Sequence, residues 1–300
     1  MNGCLPSSSL SREQVPDWPN RLGIAGIEFI EYTTTQPQAL GKVLERMGFA
    51  AVARHRSREV TLYRQGQLNL VVVHTNHVDT PQRAPMISAV GLRVRDALLA
   101  HQRCLELGAW PVPSQAQAME LHIPAILGPG GSRFYFVDRW EEFSIYDIDF
   151  TIIGETGEHA PLVEGMSWFG VVQYIGNARS LDWVTYFERM FDFELLPDQQ
   201  RFGILPKGHI LRSPCGQFFW QIIEPDPALE WGLQNEQLQR VGIGVNNVPQ
   251  AVRALQQRGV EFVDSSHLHP DEKGALTRNE LGSVVFELVH HPVDQTARGA

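Results

Sequence analysis

Hydrophobic and polar positions along the chain fall into one pattern that returns four times. Residues 24–32 (IAGIEFIEY) alternate in part and are rich in β-branched and aromatic types, which suits a strand. Residues 36–47 place Ala39, Leu40, Val43, Leu44 and Met47 at helical spacing, and Gly48 stops the run. Three short strands follow, VARHR, REVTLYRQG and LNLVVVH, separated by glycine and polar turns. The second unit reads as a strand at 87–94, a helix over 97–107 ending at Gly108, and strands at 120–126, 133–137 and 144–150. The third has a strand at 169–174, a helix over 181–190, and strands in FELLP, GHILRSP and QFFWQII. The fourth opens at 241–245, has its helix over 250–258 and ends in a strand at 283–289.

The units also echo one another in sequence. LERMGF (44–49) corresponds to FERMFDF (187–193), and LELGAWPV (105–112) to LQQRGVEFV (255–263). Units one and three therefore match, as do two and four, which is a duplication signature. The expected fold is α+β: four βαβββ modules paired into two domains, each a curved mixed sheet around a cavity. The boundaries are a flexible tail over 1–21, a first domain over 22–153, a Gly-rich linker over 154–166, a second domain over 167–292 and a tail over 293–300. Asp182, near the start of the third helix, is placed to accept from its free N–H groups.

Composition narrows the function classes. The 300 residues suffice for two domains, and 43% hydrophobic with 20% charged residues is a globular balance. The formal net charge of −9 excludes the basic footprint of a nucleic-acid binder and opposes docking on an anionic membrane. No run approaches the ~20 apolar residues of a membrane span, and the first residues lack a secretory pattern. Cys4, Cys104 and Cys215 are odd in number and far apart, which points to the cytoplasm rather than to a disulfide framework or a cysteine metal site.

Paired βαβββ units are the architecture of the vicinal oxygen chelate superfamily. Within it, residues 27–72, MELHIPAILGPGGSRFYFVDRW and the following SIYDIDF resemble the first domain of 4-hydroxyphenylpyruvate dioxygenases. The resemblance thins after residue 150, where WVTYFERMFDF and the final FEL carry it. It implies decarboxylation of a 2-oxo acid with O2 at an Fe(II) held by two histidines and one carboxylate in the second domain. The carboxylate position falls on Glu287, the only family ligand retained. The two histidine positions fall on Gly170 and Arg240, and no histidine lies between His209 and His267. Where the family contacts substrate, this chain has Gln221-Ile222-Ile223; Gln221, Val172 and Tyr174 are the expected cavity residues. Thirteen residues follow Glu287, too few for the long helix that closes the family's cavity.

The resemblance therefore implies a degenerate metal site, with no cofactor expected and Fe(II) as the alternative. A buried lone carboxylate needs a partner: Arg240 either meets Glu287 bidentately or turns out to solvent. In the first domain the equivalent positions are Ile27 or Glu28, Ala89 and Phe136, which offer at most one ligand, so that domain reads as structural, its cavity filled by apolar side chains. Other constellations have simpler explanations. His267 and His269, with Asp271 and Glu272, sit in a polar loop, and His290-His291 reads as an exposed chain end. Gly128 to Gly131 leads into a strand, so it is a turn and not a phosphate cradle. His55, with Arg54, Arg56 and Arg58, reads as a charged strand edge, and Cys215 sits in a turn. Binding partners consistent with the sequence are a small organic acid, a protein, or a second copy of the chain.

Overall fold

The computed structural model describes residues 19–76, 84–113, 120–141, 143–153, 161–163, 165–203, 208–224 and 236–291. The first module is β1 (Gly26–Thr34), α1 (Pro37–Arg46), β2 (Ala50–His55), β3 (Val60–Gln65) and β4 (Leu68–His74). The second is β5 (Met86–Arg93), α2 (Ala97–Glu106), β6 (Ala125–Leu127) and β7 (Arg133–Val137), extended by α3 (Ile145–Asp149) and β8 (Phe150–Ile152). The third comprises β9 (Ser167–Tyr174), α4 (Ser180–Phe191), β10 (Glu194–Leu195), β11 (His209–Arg212) and β12 (Phe219–Ile223). The fourth comprises β13 (Gln237–Val245), α5 (Val248–Gln257), β14 (Gly274–Leu276) and β15 (Phe286–His290).

The pairing of modules follows from their first strands. β1 lies antiparallel to β5, and β9 antiparallel to β13; each first strand also takes a parallel partner from its own module. One contact, Leu238 opposite Ile87, carries the ladder from β13 to β5, so all the strands belong to one sheet. The second and fourth modules share a shortcoming in the strand after the helix. It shrinks to a single bridge, at Pro111 opposite Ile126 and at Phe262 opposite Thr277.

Helix ends are set by local chemistry. Asp96 and Asn247 cap α2 and α5 by accepting from Leu99 N and Gln250 N, each at 2.9 Å. Gly48, Gly108 and Gly259, with φ of 95°, 94° and 82°, reverse the chain after α1, α2 and α5. α4 departs from expectation at its start. Asp182 lies in its first turn but caps nothing; Glu224 instead accepts from Ala178 N at 3.1 Å and Ser180 N at 3.0 Å. Residues 144–150, expected as a strand, contain α3, because Ser144 and Asp147 form a capping box that nucleates a turn before Phe150 resumes extended backbone. β6 is likewise confined to 125–127 and overlaps the expected strand 120–126 only at its last two residues. β8 pairs with β2, so the His55 strand is internal and not an edge.

The helix-facing side of the sheet carries one core that runs through both halves. Phe134 of β7 packs its ring against Phe187 and Phe191 of α4 and Trp220 of β12, at centroid distances of 6.0, 4.9 and 5.2 Å. The junction is reinforced by Arg258 Nη2 donating to Glu45 O at 2.7 Å and by an Arg46–Glu280 ion pair at 2.9 Å. Among the described residues no helix is long and apolar enough to cross a membrane. Because Phe134 is buried between the halves, Phe134→Ala should cost ~3–5 kcal/mol. The two halves should still unfold together: urea denaturation followed by fluorescence and by circular dichroism is expected to give one coincident transition.

Candidate functional site

The concave side of the second half brings three strands into one row. Gly170 on β9 lies opposite Gly242 on β13, which lies opposite Glu287 on β15. Arg240 stands two residues before Gly242 on β13, opposite Val172. Its Nε donates to Glu287 Oε2 at 3.0 Å, and both side chains are about 5% exposed (5% and 6%). Of the two orientations open from the sequence, the guanidinium takes the inward one. The contact is single rather than bidentate, and Arg240 Nη2 is buried with no hydrogen-bond partner. Burial pushes the Glu287 carboxyl above its ordinary range, while the Arg240 charge and hydrogen bond draw it back down.

The remaining volume is aromatic. Phe169, Phe202 and Phe219 pack mutually at centroid distances of 5.3, 5.0 and 4.7 Å, and His291 sets its edge on Phe169 and Phe219 at 5.6 and 5.8 Å. The free space beside them, lined by Gly170, Val172, Gln221, Gly242 and Glu287 among others, is about 20 Å³, room for one water. Tyr174, expected in the cavity, is half-buried near the far end of β9 and does not line it. His291 is not an exposed chain end: it is half-buried, and burial lowers its pKa, whereas His290 is exposed. His267 and His269 are exposed, as their loop composition implies. Among the described residues no three His, Cys, Asp or Glu side chains cluster as metal donors.

Backbone shape reinforces this closure. Gly170 has φ of 155°, and a Cβ there would overlap the carbonyl oxygen of Phe219 on β12. At Gly203, with φ of 61°, an added Cβ would run into Glu287 Oε1. Phe202 and Gly203 were not among the expected site residues. A sequence signal exists: Phe202-Gly203 follows the polar stretch DQQR between two strands, and an apolar residue in such a loop usually finds a core.

In the first half the corresponding row is Phe29, Gly91 and Tyr135, from the register of β1, β5 and β7. The expected positions were displaced. A β-bulge between Ile27 and Phe29 shifts β1, so Ile27 faces the helices, as does Phe136. Ala89 lies two pairs along from this row, opposite Glu31. The concave side holds an apolar cluster around Phe29, Leu62, Val71 and Tyr146, as expected, but also two ion pairs that were not. Arg93 Nε meets Glu28 Oε2 and Arg133 Nη2 meets Glu31 Oε1, each at 2.6 Å. Burial raises the Glu28 pKa against the opposing pull of Arg93.

This fold, with its two pseudo-equivalent concave sites, is that of the vicinal oxygen chelate superfamily. The comparisons are specific. The family model described as hydroxyphenylpyruvate dioxygenase, HPPD, N-terminal, matches residues 18–151. The chain is 31% identical over 283 residues to hemolysin VllY of Vibrio vulnificus, covering 84% of this chain and 76% of that protein. It is 37% identical over 182 residues to 4-hydroxyphenylpyruvate dioxygenase of a Pseudomonas species, covering 59% of this chain and about half (51%) of that relative's length. A mutant of 4-hydroxymandelate synthase from Streptomyces coelicolor superposes with a TM-score of 0.69 at 19% identity, over 89% of this chain and 93% of that one, a likeness of fold. The chain belongs to the 4-hydroxyphenylpyruvate dioxygenase family.

Two predictions follow the geometry. Arg240→Ala leaves a buried carboxylate without its cation, which should cost ~3–5 kcal/mol at neutral pH, while Arg240→Met with Glu287→Leu should cost much less. In Arg240→Ala burial alone acts on Glu287, so its folded pKa lies above the unfolded value near 4.5. Such a group binds its proton more tightly in the folded state, so stability is fullest below that value and falls as pH rises through the folded pKa. The deficit of Arg240→Ala against wild type should therefore shrink as pH is lowered toward 4.5, measured by urea titrations across that range. Separately, Gly170→Ala should destabilise by ~1–3 kcal/mol in the same assay, through the Phe219 carbonyl and the strained φ.

Proposed function

We propose that this protein is a 4-hydroxyphenylpyruvate dioxygenase-like member of its family that has given up the Fe(II) chemistry and acts by binding a protein partner. The observation that carries this reading is the Arg240–Glu287 pair. A ferrous facial site needs two imidazoles and a carboxylate free to coordinate. Here Gly170 offers no donor, Arg240 offers a cation, and the one carboxylate already accepts from that cation at 3.0 Å. The residues present do not fit the iron.

The cavity beside Glu287 opposes a small organic acid as its ligand. A site for a small ligand normally encloses ~300–1,000 Å³, against about 20 Å³ between Gly170, Gln221 and Glu287. Phe202 and the ring cluster fill the space beside Glu287.

The alternative is an active Fe(II)-dependent enzyme decarboxylating a 4-hydroxyphenylpyruvate-like 2-oxo acid. The two separate on one preparation. The protein is incubated anaerobically with Fe(II), desalted and assayed for iron, then given 4-hydroxyphenylpyruvate in an oxygen electrode. Iron far below one per chain and no oxygen uptake above the blank are expected. Stoichiometric iron together with turnover would overturn the proposal.

A further inference from the structure

Between the start of α4 and the adjoining ends of β11 and β12 lies a cleft of about 520 Å³, which shares no lining residue with the concave site. That volume falls within the ~300–1,000 Å³ of small-ligand sites. Its walls are mostly apolar: Ala178, Ile222 and Ile223 line it, as does Leu181, which is 71% exposed. Gly208 adds bare backbone; with φ of 99° it lies so close to β12 that an added Cβ would run into the Ile222 carbonyl oxygen.

The charge in this cleft is Glu224. Its Oε1 accepts from Ser180 N at 3.0 Å and from the Ser180 hydroxyl, and its Oε2 accepts from Ala178 N at 3.1 Å. Ala178 donates from a left-handed φ of 57°, which residues other than glycine rarely adopt. The Ser180 hydroxyl, helped by the backbone N–H groups, holds Glu224 below the usual carboxylate range, so it is ionised at neutral pH. Capping α4 leaves two features unused. An ionised carboxylate has about four acceptor sites, and the three donors leave one of them on Oε2. No cation answers the charge either. Arg179, in the same turn, gives Nη1 to Glu236 Oε1 at 2.6 Å and lays its guanidinium over the Trp183 ring, and among the described residues Glu224 has no ion-pair partner.

We infer that this cleft binds a small organic cation, a primary ammonium on an apolar body. The ammonium donates to the remaining acceptor site of Glu224 Oε2, and the body lies along Ile223 and covers the exposed Leu181 side chain. Because three hydrogen bonds already hold the carboxylate in one rotamer, binding imposes little further order on it. The inference stands independently of whether the concave site of the second half binds iron.

The test is a titration of the full chain with phenethylamine at neutral pH, followed by amide NMR. Salt at about 0.15 M screens the general attraction of a body carrying a net charge of −9. Saturable shifts are expected at the Ala178 and Ser180 amides, with a dissociation constant of about 1–10 mM. Phenethyl alcohol, which keeps the body and lacks the charge, should bind at least ~5-fold more weakly. Glu224→Gln, which retains an amide oxygen for the cap, should weaken phenethylamine binding by a similar factor. Glu194→Gln, which removes the same charge from β10, should leave the constant unchanged. Absence of saturable shifts at both amides up to about 50 mM would overturn the inference. So would equal binding of the alcohol by the wild-type chain, a comparison that needs no variant. Full affinity in a folded Glu224→Gln, or an equal loss in Glu194→Gln, would also overturn it.

Discussion

A carboxylate removed from water has to be neutralised, protonated or bound to a cation, and the concave side of the second half is organised around that requirement at Glu287. The parallel pairing of β13 with β15 fixes Glu287 beside Gly242, and the same strand delivers Arg240 from two residues away. Once the guanidinium meets the carboxylate, no formal charge is left to attract an ion or an anionic ligand. The surrounding space can then be filled with rings, and Phe169, Phe202 and Phe219 fill it. The orphaned Arg240 Nη2 marks the residual cost of burying the guanidinium.

The first half reaches a similar end by another route. Its central row, Phe29–Gly91–Tyr135, is closed by two aromatic rings 5.8 Å apart, and its carboxylates Glu28 and Glu31 are each tied to an arginine. Both concave sites are thus filled and charge-balanced, one around an ion pair at its centre and the other with its pairs flanking an apolar cluster.

Much of this was legible in the sequence because the duplicated units repeat at the level of hydrophobic period. Strands and helices of the first, third and fourth modules sit within a few residues of their expected bounds, and the family resemblance located Gly170, Arg240 and Glu287 on neighbouring strands. The misses have distinct physical causes. Residues 144–150 alternate like a strand, but the Ser144–Asp147 box makes a helical turn cheaper there. The bulge after Ile27 leaves no mark in hydropathy, yet moves every later side chain of β1 to the other face of a simple count. Phe202 lies in a loop, where period carries no information, and its role depends on contacts with rings on other elements.

The core shared across Phe134, Phe187, Phe191 and Trp220 has a consequence for how such a chain changes over generations. Neither half can discard its helix-facing residues without unsettling the other, so selection for folding alone holds those positions in both. The concave residues answer to chemistry, and once chemistry stops mattering they answer only to volume and charge. The residues of that side can then vary while the scaffold around them stays recognisable. In that sense the packing of the first half acts as a brace for the second, keeping its outline whatever fills the concave side.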